Sequence, residues 1–141
     1  MKTSLIVCIL AFAISVYADD DIAAIYAAVP SAKDITRTSD GYRVRDGAGK
    51  TIFVTKTTSG YHVAGEKNTT FITKTSTGYR ISNGGNTTFI NKSVTGYRTS
   101  GSNTTFTTKT STGYRVSNGG ATTASTDITE TKTGYRVNSA R

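Results

Sequence analysis

The stretch NTTFITKTSTGYRISNGG, from Asn68 to Gly85, decides the reading of this chain. In its first half Phe71, Thr73 and Thr75 share one face, while Thr70, Ile72 and Lys74 share the other. In its second half Tyr79 and Ile81 share a face, with Arg80 and Ser82 opposite. A period of two, carried by β-branched and aromatic residues, marks half-buried strands. Ser76-Thr77-Gly78 suits a turn closed by a left-handed glycine, and Asn83-Gly84 suits a two-residue hairpin turn.

Working outward, the same unit recurs. Gly-Tyr stands at Gly41-Tyr42, Gly60-Tyr61, Gly78-Tyr79, Gly96-Tyr97, Gly113-Tyr114 and Gly134-Tyr135, in steps of 19, 18, 18, 17 and 21 residues. Six such units account for nearly everything after Pro30. An internal repeat of this length implies one supersecondary element per unit. The expectation is an all-β chain whose tandem repeats of about 18 residues form a β-solenoid or a stacked β-hairpin array. Either is favoured over a closed barrel, because the same residues return at the same place in every unit.

On that basis Phe53, Phe71, Phe89 and Phe106 are expected to point inward with the six repeat tyrosines. Arg43, Arg80, Arg98, Arg115 and Arg136 are expected to form one outward ladder, and Arg37, Lys56, Lys74, Lys92 and Lys109 a second. The end units differ. Seven residues before the Gly-Tyr glycine, where the central units have Phe, they carry Asp34 and Asp127. A buried unpaired carboxylate is costly, so these two are expected to cap the ends of the stack.

The N-terminus reads as a secretory leader over residues 1–18: Lys2, an apolar run from Leu5 to Val16, and Ala18 before three aspartates. The run is too short for a membrane span, which needs about 20 apolar residues. The only cysteine, Cys8, leaves with it, so the mature chain has no disulfide. Residues 19–30, DDDIAAIYAAVP, read as one short helix docked on the first repeat, or as a propeptide; residues 31–141 are the six-unit repeat domain.

No catalytic or metal constellation stands out. His62 is the only histidine and replaces an arginine of the ladder; no acidic pair recurs with the repeat. A non-enzymatic protein without a cofactor is expected. The net charge of +8 favours acidic partners. The expected function is a secreted scaffold that binds or coats an extracellular surface or polyanionic glycan through its Arg/Lys ladders. Nucleic acid is disfavoured because the aromatics are expected to face away from the arginines. Self-association into a structural fibre is the alternative.

Asn68, Asn86, Asn91 and Asn103 lie in N-x-S/T sequons and can carry glycans in a eukaryotic source. The Thr-Lys-Thr triplets at Thr55–Thr57, Thr73–Thr75 and Thr108–Thr110 resemble the Thr-x-Thr ladders of insect ice-binding solenoids, which implies ice binding as a further alternative. The run from Thr77 to Phe89 resembles choline-binding cell-wall repeats, hairpins of similar layout; the tryptophans of their choline pockets are absent, so that ligand is not carried over. The units also resemble curlin-type strand–turn–strand repeats, without the glutamine ladders of that family.

Overall fold

A twelve-stranded meander, each strand antiparallel to the next, closes on itself around a short helix. The computed structural model describes residues 20–65, 68–101, 104–119 and 124–139. The expected leader with Cys8, and Asn103, lie outside the described residues. Helix α1 spans Asp21–Ala28. The strands are β1 Ala32–Thr38, β2 Gly41–Asp46, β3 Thr51–Lys56, β4 Gly60–Val63, β5 Thr70–Thr75 and β6 Gly78–Asn83. They continue as β7 Asn86–Ser93, β8 Gly96–Ser100, β9 Thr105–Thr110, β10 Gly113–Asn118, β11 Ser125–Glu130 and β12 Gly134–Ser139.

The all-β expectation holds, and the hairpin within each unit is present. The solenoid and the open stack do not: β1 pairs with β12 through Asp34 opposite Arg136, Ile35 opposite Tyr135 and Thr36 opposite Gly134. Units related by rotation about an axis repeat the same residues as units related by translation, so the pattern did not separate the two. Closure also removes the ends that Asp34 and Asp127 were expected to cap. It satisfies every sheet edge within the chain.

The face assignment was half right. The second strand of each unit points its Tyr inward, as expected, followed two residues on by an inward Val or Ile in every unit but the fourth, where it is Thr99. The first strand is inverted: Ile72 is buried and Phe71 is 53% exposed. The cause is one residue of turn. Thr75 pairs with Gly78, so only Ser76 and Thr77 form the turn and Gly78 belongs to β6. Ile72 then faces Ile81, and Phe71 faces Ser82. Had Gly78 been part of the turn, every side chain of β5 would have changed sides. At Gly78 φ is +150° and an added Cβ would lie 1.9 Å from the Ile90 carbonyl oxygen, so only glycine fits this close approach. At the opposite hairpin the central pair is Gly84-Gly85, with φ of +54° and +100°, one residue later than expected.

Inside, the pairs form a ring: Ile35 with Val44, Val54 with Val63, Ile72 with Ile81, Ile90 with Thr99, Thr107 with Val116, and Ile128 with Val137. Side chains alone just fill a barrel of about eight strands. Twelve leave a wider bore, and α1 occupies it. Its sequence DIAAIYAA is slim enough to enter, and Ile22, Ala24 and Ile25 are wholly buried. A helix of eight residues is marginal alone; burying each isoleucine contributes roughly 1.5–3 kcal/mol. The helix therefore sits inside the barrel rather than on the first repeat.

Candidate functional site, a belt on the outer wall

On five hairpins, and across the closure of β12 on β1, a residue of the even strand stands directly opposite one of the odd strand, at mid-height on the outside. The pairs are Arg43–Phe53, His62–Phe71, Arg80–Phe89, Arg98–Phe106, Arg115–Asp127 and Arg136–Asp34. Directly opposite residues of antiparallel strands share a face about 5 Å apart. Each pair therefore sets a cation, or the His62 imidazole, beside a phenyl ring or a carboxylate.

Four of the six pairs are aromatic. Phe53, Phe71, Phe89 and Phe106 are 58%, 53%, 47% and 43% exposed. The Arg98 guanidinium lies 5.9 Å from the centre of the Phe106 ring, and the His62 and Phe71 rings are 5.4 Å apart. Arg43, Arg80 and Arg98 make no ion pair among the described residues, and β3 to β9 contain neither Asp nor Glu. The expected inward Phe ladder is thus corrected, and with it the argument that aromatics and arginines face apart. Threonines 73, 75, 108 and 110 follow Phe71 and Phe106 onto the outer face, where curvature and interleaved Arg and Phe break any flat array.

The other two pairs are ionic. Arg115 Nε donates to Asp127 Oδ1 at 2.8 Å, and Arg136 Nε lies 3.6 Å from Asp34 Oδ1. The hydrogen bond from Arg115 holds the Asp127 carboxyl below its usual value.

The lysine ladder is not on this wall. Lys56, Lys74, Lys92 and Lys109 are at the end of the barrel where the short turns lie, each opposite a tyrosine: Tyr61, Tyr79, Tyr97 and Tyr114. They share the inward parity of the core but stand at the mouth, where a long side chain reaches water. Lys74 Nζ is 3.2 Å from Asp21 Oδ1, while Lys92 and Lys109 stand 3.8 and 4.0 Å from Asp20. Tyr61 donates to Asp21 Oδ2, and Tyr79 Oη donates to Asp21 Oδ1 at 2.6 Å. Burial alone would raise the Asp21 pKa, but hydrogen bonds from Tyr61, Tyr79 and Lys74 outweigh it and hold the carboxyl below its usual range. Burial, then the contact with Asp21, pushes the Tyr79 phenol well above its usual value. Burial and Asp20 do the same to Tyr97. Lys74, Lys92 and Lys109 thus stand beside the two aspartates at the helix N-terminus, where the helix dipole also favours negative charge.

At the seam the mouth pattern changes. Glu130 stands opposite Tyr135 where other units have a cation, and Arg37 Nη2 donates to Glu130 Oε1 at 2.7 Å and to Tyr135 Oη at 2.8 Å. So the junction of β1 and β12 carries one ion pair inside the mouth and one outside. Sequence reasoning missed the role of Asp20, Asp21 and Glu130. The signal for Glu130 was present, as an acid at a ladder position otherwise held by Arg or Lys.

Of the sequons, Asn68 and Asn86 are exposed at the asparagine–glycine end, and Asn91 is exposed on the outer face of β7, accepting a hydrogen bond from Thr77 Oγ1 at 3.3 Å. Among the described residues no group of three or more His, Cys, Asp or Glu could hold a metal, and no helix is long and apolar enough to cross a membrane. The chain matches no family model, and neither curated proteins nor solved structures give a match.

Proposed function

We propose that this is a secreted, non-enzymatic scaffold that binds a polyanionic extracellular glycan or surface through the arginine belt of its outer wall. The observation that carries the reading is the arc from β2 to β9, where Arg43, Arg80 and Arg98 are exposed, make no ion pair among the described residues, and alternate with exposed phenyl rings. A guanidinium binds sulfate or carboxylate through paired donors. A phenyl face offers an apolar surface to a sugar ring. Neighbouring strands are about 4.8 Å apart, so Arg80 and Arg98, two strands apart, stand roughly 10 Å from one another, and Arg43, four strands from Arg80, roughly twice that. That spacing suits a chain polymer rather than a compact ligand.

The wall does not have the make-up of a lipid-facing barrel. Its strands are four to eight residues long, and arginines occupy mid-height. A spanning strand needs about 9–11 residues and an apolar band. Fibre formation by edge-to-edge strand addition has little to build on where every strand already has two neighbours.

Single-stranded nucleic acid is the second reading, favoured by the rings and arginines sharing one face, the arrangement on which bases stack while phosphates are neutralised. Heparin chromatography of the secreted chain tests the first. Retention at low salt that is lost as salt rises is expected, and failure to bind at low salt overturns it. Competition by single-stranded DNA at concentrations below those needed for heparin would shift the assignment to nucleic acid.

A further inference from the structure

The barrel interior is not evenly filled. Helix α1 lies closest to β5 and β6. Beside it, toward β8 to β12, a cavity of about 460 Å³ opens near the asparagine–glycine end. Ala23, Tyr26 and Ala27 of the helix line one side; Thr99, Thr107 and Asn118 are among the residues that line the other.

Two independent features coincide there. First, the helix presents Ala23 and Ala27 to this side, beside the ring of Tyr26. Second, the inner ring of twelve positions is Ile or Val in ten strands and Thr in two, and the two are Thr99 and Thr107. They stand on the neighbouring strands β8 and β9, both nearly buried, and both face this cavity. Elsewhere the repeat keeps an aliphatic residue at this place. An interior that only needed packing would gain nothing from exchanging isoleucine for threonine beside a void, because empty volume costs stability and a buried hydroxyl needs a partner.

We propose that this cavity is a binding site for an uncharged small molecule with an apolar body and one or more hydrogen-bonding groups. Among the described residues no Asp, Glu, Lys, Arg or His lines it, so a charged ligand would lose its hydration without compensation there. Its volume is in the range of ligand pockets, and the mouth of a β-barrel is a common place for one. The hydroxyls of Thr99 and Thr107 would meet the ligand's polar groups, and the Ala23–Ala27 face its apolar body. This site is separate from the outer belt and does not depend on the polyanion reading.

The test uses N-phenyl-1-naphthylamine, an uncharged probe whose emission rises in a dry site. Saturable binding of one probe per chain is expected. Restoring the repeat pattern with Thr99→Ile and Thr107→Ile together should weaken binding at least tenfold without lowering Tm. Ala27→Leu, which fills the cavity from the helix side, should do the same if the paired variant fails to fold. Phe71→Ala with Phe89→Ala, on the outer wall, should leave probe binding unchanged. The proposal is overturned by an absence of saturable binding, which would leave a cavity holding only water. Binding that survives the cavity-filling variants, or that is lost with the two phenylalanines, overturns it as well.

Discussion

Two arcs of one belt, built on the same repeat, have opposite characters. From β2 to β9 the residue opposite each Arg or His is phenylalanine, and the three arginines make no ion pair among the described residues. From β10 round to β1 it is aspartate, and the cation is paired, Arg115 with Asp127 and Arg136 with Asp34. A change of one side chain per hairpin converts a sticky surface into a self-neutralised one. The neutral arc contains the seam. There a second ion pair, Arg37 with Glu130, sits on the inner side. Charge at the seam favours one register of β1 on β12, while the aromatic arc is free to meet a partner.

The comparison fails at once if phenylalanine is inside, and that gives the largest expected effect. Ile72→Ala should cost about 2–5 kcal/mol of stability, whereas Phe71→Ala should stay within about 1 kcal/mol, both read by denaturant unfolding. The reverse order would mean that the face assignment is wrong. Next comes binding. Arg43→Ser, Arg80→Ser and Arg98→Ser combined should weaken binding to heparin or an anionic surface by about 3 kcal/mol, at roughly 1 kcal/mol per basic residue. Arg115→Ser with Arg136→Ser, in the neutral arc, should change retention far less. Equal losses from both sets would erase the distinction between the arcs.

The pH dependence is a smaller effect and concerns the mouth. The Asp21 carboxyl is held below its usual value of 3.8. Its contribution is therefore present above the unfolded value and lost as pH falls through the folded one. The phenols of Tyr79 and Tyr97 are raised above 10.0; their contribution is present below that value and lost as pH rises beyond it. Tm should hold steady between about pH 5 and 9 and fall on both sides, with Asp21→Asn flattening the acid limb. The smallest effect is on the neutral arc itself. Asp127→Ser, which frees exposed Arg115, should leave Tm unchanged and raise retention on heparin slightly.

Much of this was legible in the residues. The six Gly-Tyr steps showed the units, and the inward Tyr79 and Ile81 followed from alternation. The face of the first strand was not, because Ser76-Thr77 and Ser76-Thr77-Gly78 are both plausible turns and one residue inverts a strand. Gly78 gave no warning: its glycine is required by the approach to Ile90, a contact between neighbouring hairpins that no local pattern reports. Asp34 and Asp127 were noticed as exceptions but given the wrong task, since a cap and a seam both put unusual charge in the first and last units. Lys74 was read as a wall residue because strand parity says nothing about height, and only at the mouth can an inward lysine reach Asp21 and water together. The exceptions Thr99 and Thr107 were equally visible, yet acquire meaning only when β8 and β9 are known to face the same void.

The helix in the bore also acts as a gauge for copy number. Solenoid arrays gain and lose units with little penalty, because each touches only its neighbours. A ring has no such freedom: its diameter grows with every strand added, while the girth of α1 stays the same. A seventh hairpin would leave the helix loose, and a fifth-only ring would squeeze it out. Duplication of a unit, the mutation to which tandem repeats are most prone, is therefore the one this architecture is least able to absorb.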